Sequence, residues 1–155
     1  MNNKNNAAPT FFFGEYEIRL DNRMLYMPEP FLKKLLDESP IEKSIFFFPY
    51  DVLMIFGEKG IQKLMAEARN RSDQFVARMI WHLTAKNGIV LSPDGKVEIP
   101  AAIIEKYSFS NDETLSLIGM MDRIEVWKQK NWIEERGKLD NFLAPYTKDD
   151  LESLL

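Results

Sequence analysis

The 155-residue chain contains no cysteine, which removes disulfide cross-links, thiolate metal sites and cysteine catalysis together. It has a single histidine, His82, so sites built from several imidazoles are excluded as well. Long apolar runs are missing. Residues 45–48 and 52–56 are apolar but are broken by Pro49, Tyr50 and Asp51, far short of the ~20 residues a membrane-spanning helix needs. The first ten residues are Asn-rich with one lysine and lack the apolar core of an export signal. Residues 1–10 are therefore expected to form a disordered tail on a cytoplasmic protein. No phosphate-cradling glycine loop, nucleophile elbow or metal-binding helix motif occurs. Glu134 and Glu135, like Asp149 and Asp150, are neighbours in sequence, and successive helical residues point apart. No catalytic residue, cofactor, metal or small-molecule substrate is expected. The formal net charge of −4 supplies no general attraction to nucleic acid, so any such contact has to come from local cations.

What the chain does contain is punctuation. Leu91-Ser92-Pro93-Asp94-Gly95-Lys96-Val97-Glu98-Ile99-Pro100 reads as a strand end, a Gly-centred turn, a short alternating strand and a helix-opening proline. Residues 13–20 and 24–27 carry strand patterns separated by Asp21, Asn22 and Arg23, and Pro28 and Pro30 open a helix with Phe31, Leu32, Leu35 and Leu36 on one stripe. Residues 45–48 and 52–56 make a hairpin, and 58–70 a helix with Ile61, Leu64, Met65 and Ala68 along its face. A second helix over 72–83 places Phe75, Val76, Met79, Ile80 and Leu83 on one stripe.

The order then repeats. A shift of 72 lays Ile18 on Val90, Leu25 on Val97, Met27 on Ile99, Pro28 on Pro100 and Phe31 on Ile103; a shift of 71 lays Phe47 on Ile118, Asp51 on Asp122, Leu53 on Ile124 and Phe56 on Trp127. Two halves this small bury little separately and are expected to share one β core.

Phe12-Phe13-Gly14-Glu15-Tyr16, the turn-strand-Pro segments ending at Pro28 and Pro100, and above all Ile118-Gly119-Met120-Met121-Asp122-Arg123-Ile124-Glu125-Val126-Trp127 resemble the MraZ family. The resemblance covers residues 12–132. It implies an α+β fold of two tandem AbrB-like (SpoVT-AbrB) repeats, over 11–70 and 71–139, forming a swapped-hairpin, double-split β-barrel with flanking helices and followed by a C-terminal tail, 140–155. It also implies a ring-shaped homo-oligomer, nucleoid-associated, that binds double-stranded DNA at direct repeats in the promoter of a division and cell-wall gene cluster. The family's DNA-contacting turns have the form Asp-x-x-Gly-Arg or Asp-Lys-Gly-Arg, then an apolar residue, any residue, Ile and Pro. Carried over, the DNA-binding residues are Asp21, Asn22 and Arg23 in the first copy and Ser92, Asp94, Gly95 and Lys96 in the second.

Both copies depart from that pattern. In the first, Asn22 stands where Lys is expected, Arg23 replaces Gly and Met24 replaces Arg; in the second, Ser92 replaces Asp and Lys96 replaces Arg. Lysine keeps the charge and loses the planar fork that reads guanine bidentately. The rival expectation is thus a divergent paralogue that keeps the oligomeric scaffold, has lost DNA and acts as an interaction protein. Duller readings stand beside each feature: a solvated hairpin for Lys96 and Arg23, a locally paired turn for Asp122 and Arg123, core or subunit-interface anchors for Trp127 and Trp132, and a satisfied structural imidazole for His82. The DNA reading requires the two turns to lie on a common side of a shared barrel. The acidic, Leu-rich stretch 140–155 is expected as a short helix or as a segment docking on a neighbour.

Overall fold

The computed structural model describes residues 10–41, 43–70, 74–85 and 87–155. Most of the expected N-terminal tail, residues 1–9, lies outside them, as does Ser72, the expected start of the second long helix.

Alternation of apolar and polar residues sets the strands, and proline sets two helix starts. In chain order come β1 (Glu15–Arg19), β2 (Met24–Tyr26), α1 (Glu29–Glu38), β3 (Ser44–Pro49), β4 (Leu53–Gly57), α2 (Glu58–Asn70), α3 (Gln74–Ala85), β5 (Gly88–Val90), β6 (Lys96–Glu98), α4 (Ala101–Tyr107), β7 (Thr114–Gly119), β8 (Ile124–Lys128), α5 (Gln129–Leu143) and α6 (Lys148–Glu152). A step of 72 carries β2 onto β6, and a step of 71 carries β4 onto β8 and the first residue of α2 onto that of α5. Pro28 and Pro100 cap α1 and α4 in matching extended geometry, φ −54°, ψ 142° and φ −55°, ψ 141°. Their carbonyls accept the first helical bonds, from Leu32 N–H and Ile104 N–H. Proline suits this place because its fixed φ and missing N–H cost a helix start nothing.

The strands pair across the halves. The larger sheet has six strands in the order β1-β7-β8-β4-β3-β5, and β2 with β6 forms a separate two-stranded ribbon. Exchanging each strand with the one at the equivalent place in the other half returns the same order, β5-β3-β4-β8-β7-β1 read backwards. All the described pairings are antiparallel, with Tyr16 opposite Leu117, Phe47 opposite Ile55 and Ile55 opposite Ile124. So β1 is paired not with its own hairpin but with β7, and β5 not with β7 but with β3.

One core results. Leu20, Leu25, Ile45, Phe47, Leu53 and Ile55 from the first half are fully buried against Val97, Ile99, Leu115, Leu117 and Ile124 from the second. Burial of each such side chain is worth about 1.5–3 kcal/mol. A smaller cluster joins Phe56 to Ile61, Met65 and Ala68 of α2 and to Ala77 and Ile80 of α3.

One helical expectation needs correction. On α3, Phe75 is 74% and Met79 41% exposed, while Ala77, Ile80 and Thr84 take the buried face. The helix is apolar on too wide an arc for α2 and β3 to cover, so two of the five stripe residues face outward. His82, on the same helix, is exposed. Elsewhere Arg123 pairs with Asp122 at 2.9 Å inside the β7–β8 turn, and the rings of Trp127 and Trp132 meet edge to face, 5.4 Å apart. Over 140–155, the last residues of α5 and then α6 form, and every described side chain there is exposed.

Candidate nucleic-acid interface

The β2–β6 ribbon brings together the two degenerate turns. Each strand contributes three residues, with Met24 opposite Glu98, Leu25 opposite Val97 and Tyr26 opposite Lys96. Leu25 and Val97 point inward and are fully buried; the period-2 pleat therefore turns Tyr26, Lys96 and Glu98 out to solvent, with Met24 half-buried beside them. Because the strands run antiparallel, the turns sit at the two ends of the ribbon. Met27 N–H donates to Gly95 O at one end and Ile99 N–H to Arg23 O at the other, 2.8 and 2.7 Å.

In the second turn the sequence dictates shape more than charge. Asp94 accepts from the Ser92 hydroxyl at 2.7 Å and from Lys96 N–H at 3.0 Å, an Asx turn that also hands Gly95 N–H to Ser92 O. Those bonds, the Ser92 one foremost, hold the Asp94 carboxyl below its ordinary value. Gly95 has φ +81°, and a Cβ there would sit 3.2 Å from both Leu32 Cδ2 and the Met27 carbonyl oxygen. The turn ends by lifting Lys96 onto the exposed face of the ribbon.

The first turn is built differently. Asn22 occupies the left-handed region at φ +57°, which asparagine tolerates, and its N–H donates to Asn111 Oδ1 at 2.7 Å. Arg23 Nη2 lies 2.7 Å from Glu98 Oε1, a pairing of two half-exposed side chains across the ribbon that no local pattern announces. Asp21 closes the turn through reciprocal backbone bonds with Met24.

All seven sequence-nominated residues thus flank or form one ribbon: Ser92, Asp94 and Gly95 shape a turn, Asp21 and Asn22 shape another, and Arg23 and Lys96 supply cations. Tyr26, Met24 and Glu98 share that face and were not nominated; the strand alternation that buries Leu25 and Val97 is the signal that places them there. Within this group two cations stand among three carboxylates, Asp21, Asp94 and Glu98, so Lys96 is the cation left unpaired among the described residues. Among the described residues no group of three or more His, Asp or Glu side chains could hold a metal ion, and no helix is long and apolar enough to cross a membrane.

No family profile matches the chain. Curated relatives do. A protein named transcriptional regulator MraZ from Clostridium acetobutylicum is 29% identical over 128 residues, 79% of this chain and 85% of that protein. A namesake from a Nocardioides species is 28% identical over 128 residues, covering 79% and 84%. Another, from Alcanivorax borkumensis, is 22% identical over 145 residues, covering 90% and 98%. Strand-turn-strand-Pro segments in both halves and similarity of this extent to proteins of one name support membership of the MraZ family, as a divergent member.

Proposed function

We propose that this chain is a transcriptional regulator that binds double-stranded DNA through the exposed face of the β2–β6 ribbon. The observation that carries the reading is the ribbon itself: one strand from each half, inward residues buried, Lys96 on the exposed face and a turn at each end. The relatives' name supplies the class of activity, regulation of transcription, and the chain is not an enzyme. In this reading the molecule is two tandem AbrB-like units, 11–70 and 71–139, with exchanged strands forming a swapped-hairpin barrel, and 140–155 is an appended tail. Several copies close into a ring in the cytoplasm, associated with the nucleoid, and grip direct repeats in a promoter of division and cell-wall genes. Each ribbon offers little, one unpaired lysine and one paired arginine, so affinity comes from linking many weak contacts.

A second reading has its own support. Arg23 is held by Glu98, and Met24 stands where the family's turn has a cation; a scaffold that has lost DNA and acts as an interaction protein fits both facts. Fluorescence anisotropy with the protein's own upstream duplex and a scrambled duplex separates the two. The regulator binds the upstream duplex more tightly at moderate salt; equal, weak binding to both sequences favours the scaffold.

A further inference from the structure

Helix α3 follows α2 where α6 follows α5, but the two regions are finished differently. Ala77 and Ile80 bury α3 against α2, whereas α5 has no buried residue and the described side chains of 140–155 are all exposed. Two apolar surfaces consequently face solvent. One lies on α3, where Phe75 is 74% and Trp81 54% exposed beside a groove between α2 and α3. The other lies at the C-terminal end, where Phe142 is 67% and Leu154 80% exposed.

Their charges are opposite. Among its described lining residues the groove's ionic groups are Arg69 and Arg78, and neither makes an ion pair among the described residues. The C-terminal stretch carries Asp140, Asp149, Asp150 and Glu152 against Lys148, which is already 3.6 Å from Glu152. Pairing tail with tail would set acid on acid, and groove with groove arginine on arginine; only tail on groove joins both apolar area and opposite charge.

We infer that the end of α5 and α6 of one copy dock in the α2–α3 groove of a second copy. The contact is heterologous: every copy offers one tail and one groove, so the chain adds head to tail until the rotation closes. It rests on the self-association in the proposed function but not on DNA binding, and its test contains no DNA.

The test uses two full-length variants whose changed side chains are exposed. The groove variant carries Phe75→Ser, Arg78→Glu and Trp81→Ser; the tail variant carries Phe142→Ser, Asp149→Lys and Leu154→Ser. Circular dichroism checks that both remain folded, and sedimentation velocity across concentration and salt reads their association. Wild type should self-associate, more weakly as salt rises. Each variant alone should associate at least about tenfold more weakly. Mixed in equal amounts, they should form a one-to-one complex and stop there, because each keeps the surface the other lacks. If both variants assemble as wild type does, or if the mixture fails to pair, this contact is wrong while the assembly itself stands. A wild-type chain that stays monomeric at every concentration overturns both.

Discussion

Gly119 shows how one residue in the most recognisable string of the sequence is fixed by its neighbours. A Cβ at this position would lie 2.4 Å from the Phe13 backbone nitrogen and Cα, because residues 12–14 cross over the end of β7. That crossing is held by Phe12 N–H to Met121 O and Gly119 N–H to Gly14 O, and it seats the fully buried Phe12 ring edge-on to Phe31. Gly119→Ala should therefore cost about 3 kcal/mol, the upper end of overpacking, in urea denaturation; a loss under about 0.5 kcal/mol would mean the crossing yields freely. Glu38 makes a pH prediction. Burial pushes its carboxyl above the ordinary value of 4.5, partly offset by the Lys34 ammonium 3.2 Å away, and its Oε2 is buried without a hydrogen-bond partner among the described residues. The folded state then holds the proton more tightly than the unfolded chain, so stability is withdrawn as pH rises above that value through the raised one. Against Glu38→Gln, which does not titrate, wild type should lose ground as pH climbs from 4 to neutral; a gap that widens in favour of wild type contradicts this.

Elements were the scale at which the sequence spoke most clearly. The periodicities and prolines placed β2, α1, the β3–β4 hairpin, α2, β6 and β8 close to where they lie, because each depends on a local pattern of faces and stops. Which strand pairs with which was beyond that signal. Alternation says that Tyr16 and Ile18 face inward, but not that Tyr16 lies opposite Leu117 of the other half. The Arg23–Glu98 pair, 75 residues apart, was hidden for the same reason, and it changes the reading of the one arginine nominated as a contact. The exposed stripe of α3 was misjudged because an apolar face records what can be buried, not whether this chain has anything to bury it. The pairing of strands across the halves carries a prediction: residues 1–70 and 71–155 made separately should be unfolded by circular dichroism, and should recover structure on mixing. A half that folds cooperatively alone would show that the shared core is dispensable.

For the whole molecule the deciding quantity is charge. At −4 overall, the chain is repelled from DNA at long range, so the proposed function requires the ribbon to prevail through local contacts multiplied over copies. In the proposed function Glu98 would restrain binding, since it neutralises Arg23 and adds a carboxylate to the face proposed to meet phosphate. Both Lys96 and Glu98 are exposed, so changing them should leave stability within about 0.5 kcal/mol and move only the interaction. The salt dependence of binding to the protein's own upstream duplex, measured for wild type, Lys96→Ala and Glu98→Gln, tests this most directly. Lys96→Ala should bind more weakly, with a log–log slope shallower by about 0.9 for each ribbon engaged, and Glu98→Gln should bind more tightly than wild type. Three coincident curves, or no binding by any of the three at low salt, would contradict the assignment of the ribbon to DNA.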